Sequence, residues 1–404
     1  MIFVGVDWAE THHDICVLDD AGAVLARRRI PDTLEGVRLL HESLAPYVQE
    51  PEEVVVGIEK DRGLLVTAML GANYHVYAIN PMSAARYRER SVTSGSKSDA
   101  GDAKVLADLV RTDRHNHREA AGDSESADAI KVIARAHQSA IWARQREKNA
   151  LRNALKDFYP GALVAFGTAL DHGDALAILA LAPTPARGRQ LSLSTITSAL
   201  KKGGRERNLE RRANEIQLAL REEQLAERAQ VEAAYGTITR AHVVMIRAWG
   251  DEIAELERAL SEDFEQHPDA KIILSLPGIG MTLGARVLGE FGDDPNRYAD
   301  AKSRRNYAGT SPVTKASGKS RVVLARHSRN RHLASSADQW AFCSLTCSAG
   351  ARAYYDELRA RGKTHRQATR QLANRLVGIL HACLAQRVEY DETLAWKHPS
   401  TSAA

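Results

Sequence analysis

Nowhere in its 404 residues does the chain hold the roughly 18 consecutive apolar residues that a membrane helix needs, so no spanning segment and no membrane partner are expected. The opening Met1-Ile2-Phe3-Val4-Gly5-Val6-Asp7 lacks the basic flank and small-residue cleavage site of a signal peptide, and is expected to start a strand almost at once. Cysteine is scarce: Cys16, Cys343, Cys347 and Cys383 form no CxxC pair, which argues against a disulfide scaffold or a zinc knuckle and fits a reducing cytoplasm. Cys343 and Cys347 stand one helical turn apart in an apolar stretch and are expected to pack in a core. Acid is absent from Lys302 to Arg331, where Lys302, Arg304, Arg305, Lys315, Lys319, Arg321, Arg326, Arg329 and Arg331 accumulate. Such a surface attracts polyanions, because each neutralised phosphate releases counterions.

What is present describes a soluble globular chain, 44% hydrophobic and 26% charged, long enough for two or three units. The first hundred residues alternate strand and helix signals. Ile2 to Ala9, Asp14 to Leu18 and Val24 to Ile30 read as strands, close enough to be joined as hairpins. A helix over Thr33 to Val48, a buried strand Val54 to Ile58, a helix Leu64 to Leu70 and a strand His75 to Ile79 follow. Helices are expected from 99 to about 158, then a softer Pro/Gly-containing segment. From 205 to about 264, Leu209, Ile216, Leu220, Ile253, Leu256 and Leu260 form an apolar stripe, read as a helical hairpin or coiled-coil arm. The expected units are therefore 1–160, 161–268 and 269–400.

Four acids stand out by position. Asp7 follows Val4-Gly5-Val6 on the first strand, and Glu59 ends the Val54-Val55-Val56-Gly57-Ile58 strand. Asp99 and Asp102 lie three apart on one helix face, and either Ser98 or Asp99 is expected to cap the helix that starts there. Carboxylates at the ends of apolar strands are costly unless compensated, and a hard divalent cation, Mg²⁺ or Mn²⁺, is the simplest compensation. Paired ions of this kind activate a nucleophile and stabilise the leaving oxygen of a phosphodiester. His12-His13 and His115…His117 have no partner at ligand spacing and are expected to be exposed or locally bonded.

Gly5-Val6-Asp7, the strand-ending Glu59 and the Asp99/Asp102 pair resemble the RNase H-like fold of RuvC-type Holliday junction nucleases, which implies a single metal-binding tetrad. Further on, Pro277-Gly278-Ile279-Gly280 resembles a helix-hairpin-helix turn, whose glycines Gly278 and Gly280 would let backbone N–H groups approach a phosphate. Ser317 lies in Lys315-Ala316-Ser317-Gly318-Lys319-Ser320-Arg321, a cationic setting that lowers the cost of an alkoxide.

Taken together, the acids, the helical arm, the Pro-Gly-Ile-Gly turn, the Gly309…Pro312…Ser317-Gly318 loop, Arg329-Asn330-Arg331-His332-Leu333 and Tyr354-Tyr355…Gly362-Lys363 resemble the DEDD transposases of the IS110 insertion-sequence family. The resemblance implies an α/β RuvC-like domain, a coiled-coil arm and a mainly helical C-terminal domain. It also implies a DNA recombinase in which Ser317 forms a covalent phosphoserine link, Asp7, Glu59, Asp99 and Asp102 hold Mg²⁺ or Mn²⁺, and a non-coding bridge RNA guides donor and target DNA. A dimer to tetramer and a bacterial, nucleoid-associated cytoplasmic setting are implied with it. Two other readings remain open: a metal-dependent junction nuclease without serine chemistry, and a non-catalytic nucleic-acid-binding protein.

Overall fold

The computed structural model describes residues 1–91, 98–120, 122–318, 320–326 and 329–396, and the chain divides into two compact units, Met1–Asp123 and Ser124–Ala404. The first unit holds β1 (Ile2–Trp8), β2 (His12–Leu18), β3 (Val24–Pro31), α1 (Leu34–Leu44), β4 (Val54–Ile58), α2 (Leu64–Gly71), β5 (His75–Ala78), α3 (Pro81–Ser91), α4 (Asp99–Thr112) and β6 (Arg118–Glu119). Among the described residues these strands form a 6-stranded sheet in the order β3-β2-β1-β4-β5-β6. The hairpin-linked β1, β2 and β3 pair antiparallel, and the helix-linked β1, β4 and β5 pair parallel, as connection length dictates. This mixed α/β arrangement is compatible with an RNase H-like domain.

Alternation along β1 decides what each face carries. Ile2, Val4 and Val6 join Val54, Val56 and Ile58 in the core that includes Leu40 and Leu44 of α1 and Leu65 and Met69 of α2. Phe3 and Val55 turn to the other face, against Val105, Leu106 and Leu109 of α4. Each such fully buried aliphatic side chain contributes about 1.5–3 kcal/mol. On that second face α4 lies close upon two glycines. A Cβ on Gly5 would stand 1.8 Å from the Ala103 carbonyl oxygen, and one on Gly57 2.6 Å from that of Leu106. Gly5 and Gly57 are register partners, so one shallow track crosses two adjacent strands.

The second unit is mainly helical: α5 (Glu125–Phe158), α6 (Pro160–Phe166), α7 (Gly173–Leu181), α8 (Pro185–Gln190), α9 (Leu193–Lys202), α10 (Leu209–Arg221), α11 (Ala229–Glu265), α12 (Ala270–Ser275), α13 (Met281–Phe291) and α14 (Ala301–Ala308) precede a hairpin of β7 (Val313–Ser317) and β8 (Ser320–Leu324). Then come α15 (Arg331–Cys347), α16 (Ala349–Ala360), α17 (His365–Gln386) and α18 (Glu392–Ala395). Two cores lie along the antiparallel pair α5 and α11. Leu151, Phe158, Ile216 and Val243 belong to one, and Ile130, Phe264, Trp340 and Leu376 to the other.

Four expectations are altered. The apolar stripe of 205–264 does not close on itself, because α11 takes α5 as its partner. The soft segment after residue 160 folds into α6 to α9, and its glycines serve packing: a Cβ on Gly173 would stand 1.9 Å from the Gly203 carbonyl oxygen. The helix ending at Phe158 belongs to the second unit rather than the first. Cys347 is exposed and Cys343 half-buried, because α15 turns Trp340, Ala341 and Ser344 inward instead.

Candidate active site

The close approach of α4 positions the acids of the first unit. Ala103 and Ala107 sit over Gly5, so the start of α4 lies over the C-terminal ends of β1 and β4. Asp7 follows Gly5 on the same face, and Glu59 leaves β4 just beyond the Val6–Ile58 pair. Ser98 caps the helix by accepting from the Gly101 N–H, which orients its first turn with Asp99 and the buried Asp102. Burial pushes the Asp7 carboxyl up to about 6, aided by the neighbouring negative charges of Asp102, Asp99, Glu59 and Asp14. The four expected acids therefore share one electrostatic neighbourhood.

Sequence reasoning missed three members of this neighbourhood. Asp14 is the register partner of Asp7 on β2, and Arg29 is the partner of Asp14 on β3. The Arg29 guanidinium donates to Asp14 at 2.8 and 3.2 Å and to Asp99 at 3.3 Å, while Arg88 of α3 pairs with Asp102 at 2.7 Å. His12, Asp14 and Asp99 each bring a ligand atom within 4.8 Å of the others, so His12 has company that its sequence neighbours do not disclose. His13 is buried, with Nε2 3.2 Å from Asp32, and His115 lies 3.6 Å from Asp113. The only forewarning of Asp14 was an acid placed two residues after His12 within a strand pattern; its pairing across strands is a matter of register. Trp8, immediately after Asp7, lies under the Lys60 ammonium, whose Nζ is 2.7 Å from the ring centroid.

In the second unit Ser317 ends β7, paired with Ser320 across the turn at Gly318, whose φ of 53° suits glycine. Pairing and alternation put Lys315, Val322 and Ser320 on the face of Ser317, and Arg321 with Ala316 on the opposite face. Lys319 lies outside the described residues. The hairpin is exposed on both faces, including Val322, Val323 and Leu324. No hydrogen bond to the Ser317 hydroxyl is present among the described residues.

The exposed hairpin stands on tightly held feet. Gly309, at φ 70°, ends α14, and a Cβ there would stand 2.4 Å from Cβ of Arg329. Thr310 donates to Asn374 Oδ1 of α17 at 3.1 Å, with Ser311 at 3.4 Å. Asn330 caps α15 through its side-chain oxygen and donates through its amide nitrogen to Glu290 of α13. The buried Glu290 carboxylate is also bound twice by Arg135 of α5, at 2.7 and 2.9 Å, and these bonds hold its pKa below the usual range despite burial.

The expected phosphate-binding residues fall into distinct settings. Lys302, Lys315, Arg321 and Arg331 are exposed, whereas Arg305, Arg326 and Arg329 are half-buried. Arg304 is 5% exposed, with its guanidinium 4.6 Å from the Tyr298 ring and 5.2 Å from that of Phe291, so it packs as an interior cation. Gly278, at φ 78°, is required by packing, since a Cβ would stand 2.6 Å from the Ser344 nitrogen of α15. Gly280 has open space about its Cα and precedes α13 without any side-chain cap.

Comparison with known proteins adds the family context. Residues 4–160 match a family profile described as a transposase of the DEDD, IS110 kind, and residues 270–356 match one described as transposase, IS116/IS110/IS902 family. A Streptomyces coelicolor mini-circle protein, named as a transposase for IS117, is 42% identical over 98% of this chain and 96% of its own length. The insertion element IS110 43.6 kDa protein of the same organism is 28% identical, over 97% of this chain and 96% of its own. The insertion element IS900 42 kDa protein of Mycobacterium paratuberculosis is likewise 28% identical, over 100% and 98%.

Proposed function

The chain belongs to the IS110 family of insertion-sequence transposases, enzymes that act on DNA, and from that premise we propose that it cuts and rejoins strands through Ser317 and the acids Asp7, Glu59, Asp99 and Asp102. The observation that carries the reading is that the C-terminal ends of β1 and β4 and the start of α4 gather Asp7, Glu59, Asp99 and Asp102 in one neighbourhood, where burial first and the surrounding carboxylates second push Asp7 up to about 6. Such crowding fits a divalent cation, because like charges of this density are relieved by a counter-charge bound among them. Asp7, Glu59, Asp99 and Asp102 would hold Mg²⁺ or Mn²⁺, which supplies Lewis-acid polarisation of a phosphodiester.

Ser317 Oγ attacks phosphorus and forms a phosphoserine ester as one P–O bond of the DNA backbone breaks. The seryl proton passes to solvent base, and the departing sugar oxygen takes up a proton. Attack by a sugar oxygen of the exchanged strand reverses the step and frees Ser317, so the bond energy is kept and no nucleotide hydrolysis is required. Lys302, Lys315, Lys319, Arg321 and Arg331 grip the backbone through charge. The helix-hairpin-helix-like turn at Gly280 offers N–H groups to a further phosphate. A bridge RNA as guide, and assembly as a dimer to tetramer, complete the reading. The exposed Ile238, Val244 and Met245 along α11 supply an apolar edge for assembly. No helix among the described residues is long and apolar enough to cross a membrane.

The test is Ser317→Ala with cognate DNA, guide RNA and Mg²⁺. A denaturant-stable protein–DNA adduct is expected with the parent and absent with the variant. Among the described residues no base is hydrogen-bonded to Ser317, and that observation favours one alternative, a hydrolytic junction nuclease. That reading wins if the variant still cuts DNA and the parent leaves no adduct.

A further inference from the structure

A cleft of about 850 Å³ opens in the second unit between α5, α11, the start of α13 and α15. That volume lies within the usual range for small-molecule sites. Its lining is unusual for a helical core. Arg286 is 5% exposed, yet among the described residues its hydrogen bonds go to neutral acceptors, His137 Nδ1 at 2.9 Å and Gln339 Oε1 at 3.3 Å, and its Nε has no partner. The nearby Glu257 carboxylate accepts from the Thr282 hydroxyl instead. Because Arg286 donates to Nδ1, the His137 proton resides on Nε2, and that buried N–H is unpartnered too, as is Gln138 Oε1. Burial, reinforced by the Arg286 charge, holds His137 down to about 4, so it stays neutral. A buried cation whose hydrogen bonds go to neutral groups, with only the Glu257 charge acting on it from nearby, is expensive, as is each orphaned donor.

One end of the cleft is the uncapped start of α13 at Gly280 and Met281, an 11-residue helix whose first N–H groups favour an anion. The lining also includes Trp142, whose ring centroid lies 4.9 Å from that of His332. We infer that this cleft holds one unstacked nucleotide of a single strand, its phosphate at the start of α13 and its base against Trp142 within reach of Arg286 and the glutamine amides. Aromatic stacking beside a cationic groove is the general way that proteins seat single-stranded bases. The inference rests on the transposase reading only in that the chain handles nucleic acid; the serine chemistry is not needed.

The experiment uses the full chain carrying Ser317→Ala, so that no adduct forms, and measures anisotropy of short fluorescein-labelled single-stranded DNA and RNA. Trp142→Ala is expected to weaken binding about tenfold. Gly280→Asp tests the phosphate end without threatening the fold. Gly280 has an extended φ of −105° and open space, and aspartate is a favoured N-cap, so thermal stability should hold or rise while like charge repels the phosphate. Whichever strand, DNA or RNA, shows the loss is the source of the nucleotide. Thio-substituted oligomers should photocrosslink to peptides containing Trp142 or Met281. Binding of both strands by both variants within about twofold of the parent, where stacking predicts far more, would overturn the proposal. So would crosslinks confined to other peptides.

Discussion

The acids and the serine are held in opposite ways. Asp7 and Asp14 ride on a sheet with both faces covered, where two glycines admit α4, the helix that carries Asp102, to backbone contact. Ser317 rides on a two-stranded hairpin exposed on both faces, a structure with little stability of its own, and its order comes from its feet. The acid cluster is therefore preorganised by core packing. The serine sits on an exposed hairpin that, among the described residues, is anchored where Gly309, Thr310, Ser311, Arg329 and Asn330 meet the helices.

Four substitutions test that contrast. Gly5→Val should do most harm, because the added carbons have the Ala103 carbonyl in their way; a loss of about 3 kcal/mol or more, with cleavage abolished, is expected in thermal unfolding and DNA-cutting assays. A stable, active Gly5→Val protein would mean that α4 does not rest on the sheet in this way. Glu290→Ala comes next. It removes both Glu290 bonds from the Arg135 guanidinium and the Asn330 contact, at a cost of about 3 kcal/mol for breaking a largely buried pair. Hydrogen exchange should also show the hairpin opening more often; unchanged exchange there would detach Glu290 from the hairpin's order.

Asp7→Asn should stabilise, and the sign follows from the raised pKa. The folded state favours the protonated carboxyl, so this residue's contribution is whole below its unfolded value near 4 and is lost as pH rises through about 6. Without divalent ions the variant should gain about 1 kcal/mol at pH 7.5, allowing for solvent screening of a half-buried group, and nothing at pH 4. Added Mg²⁺ should stabilise the parent and erase the difference. An equal gain at both pH values would remove the ionisation of a buried, carboxylate-flanked Asp7 as the cause. Lys315→Ala is expected to change stability least, within about 0.5 kcal/mol, while lowering the salt slope of DNA binding by about 1. A slope unchanged from the parent would take this face of the hairpin off the DNA.

Much of the first unit was legible. Hydrophobic alternation placed β1, β2, β3 and β4, connection length set their directions, and the strand-end acids Asp7 and Glu59 stood out by position. Asp14, Arg29 and Arg88 were not legible, because they join the cluster through cross-strand register and the packing of α3, which no local window contains. The basic stretch was visible as composition, but composition could not separate Arg304, stacked inside on Tyr298, from the exposed Lys315 and Arg321. In the softer segment the glycines suggested loops. Gly173 and Gly203 instead mark where two helical elements touch backbone to backbone.

By itself the sequence determined the strands and helices of the first unit up to β5, which acids end two of those strands, and where positive charge accumulates, since these follow from side-chain periodicity and residue type. The tertiary structure alone decided which carboxylates repel one another, which arginines are buried, and how the serine hairpin is anchored. Those properties depend on distance and dielectric between residues far apart in the chain, and only packing sets them.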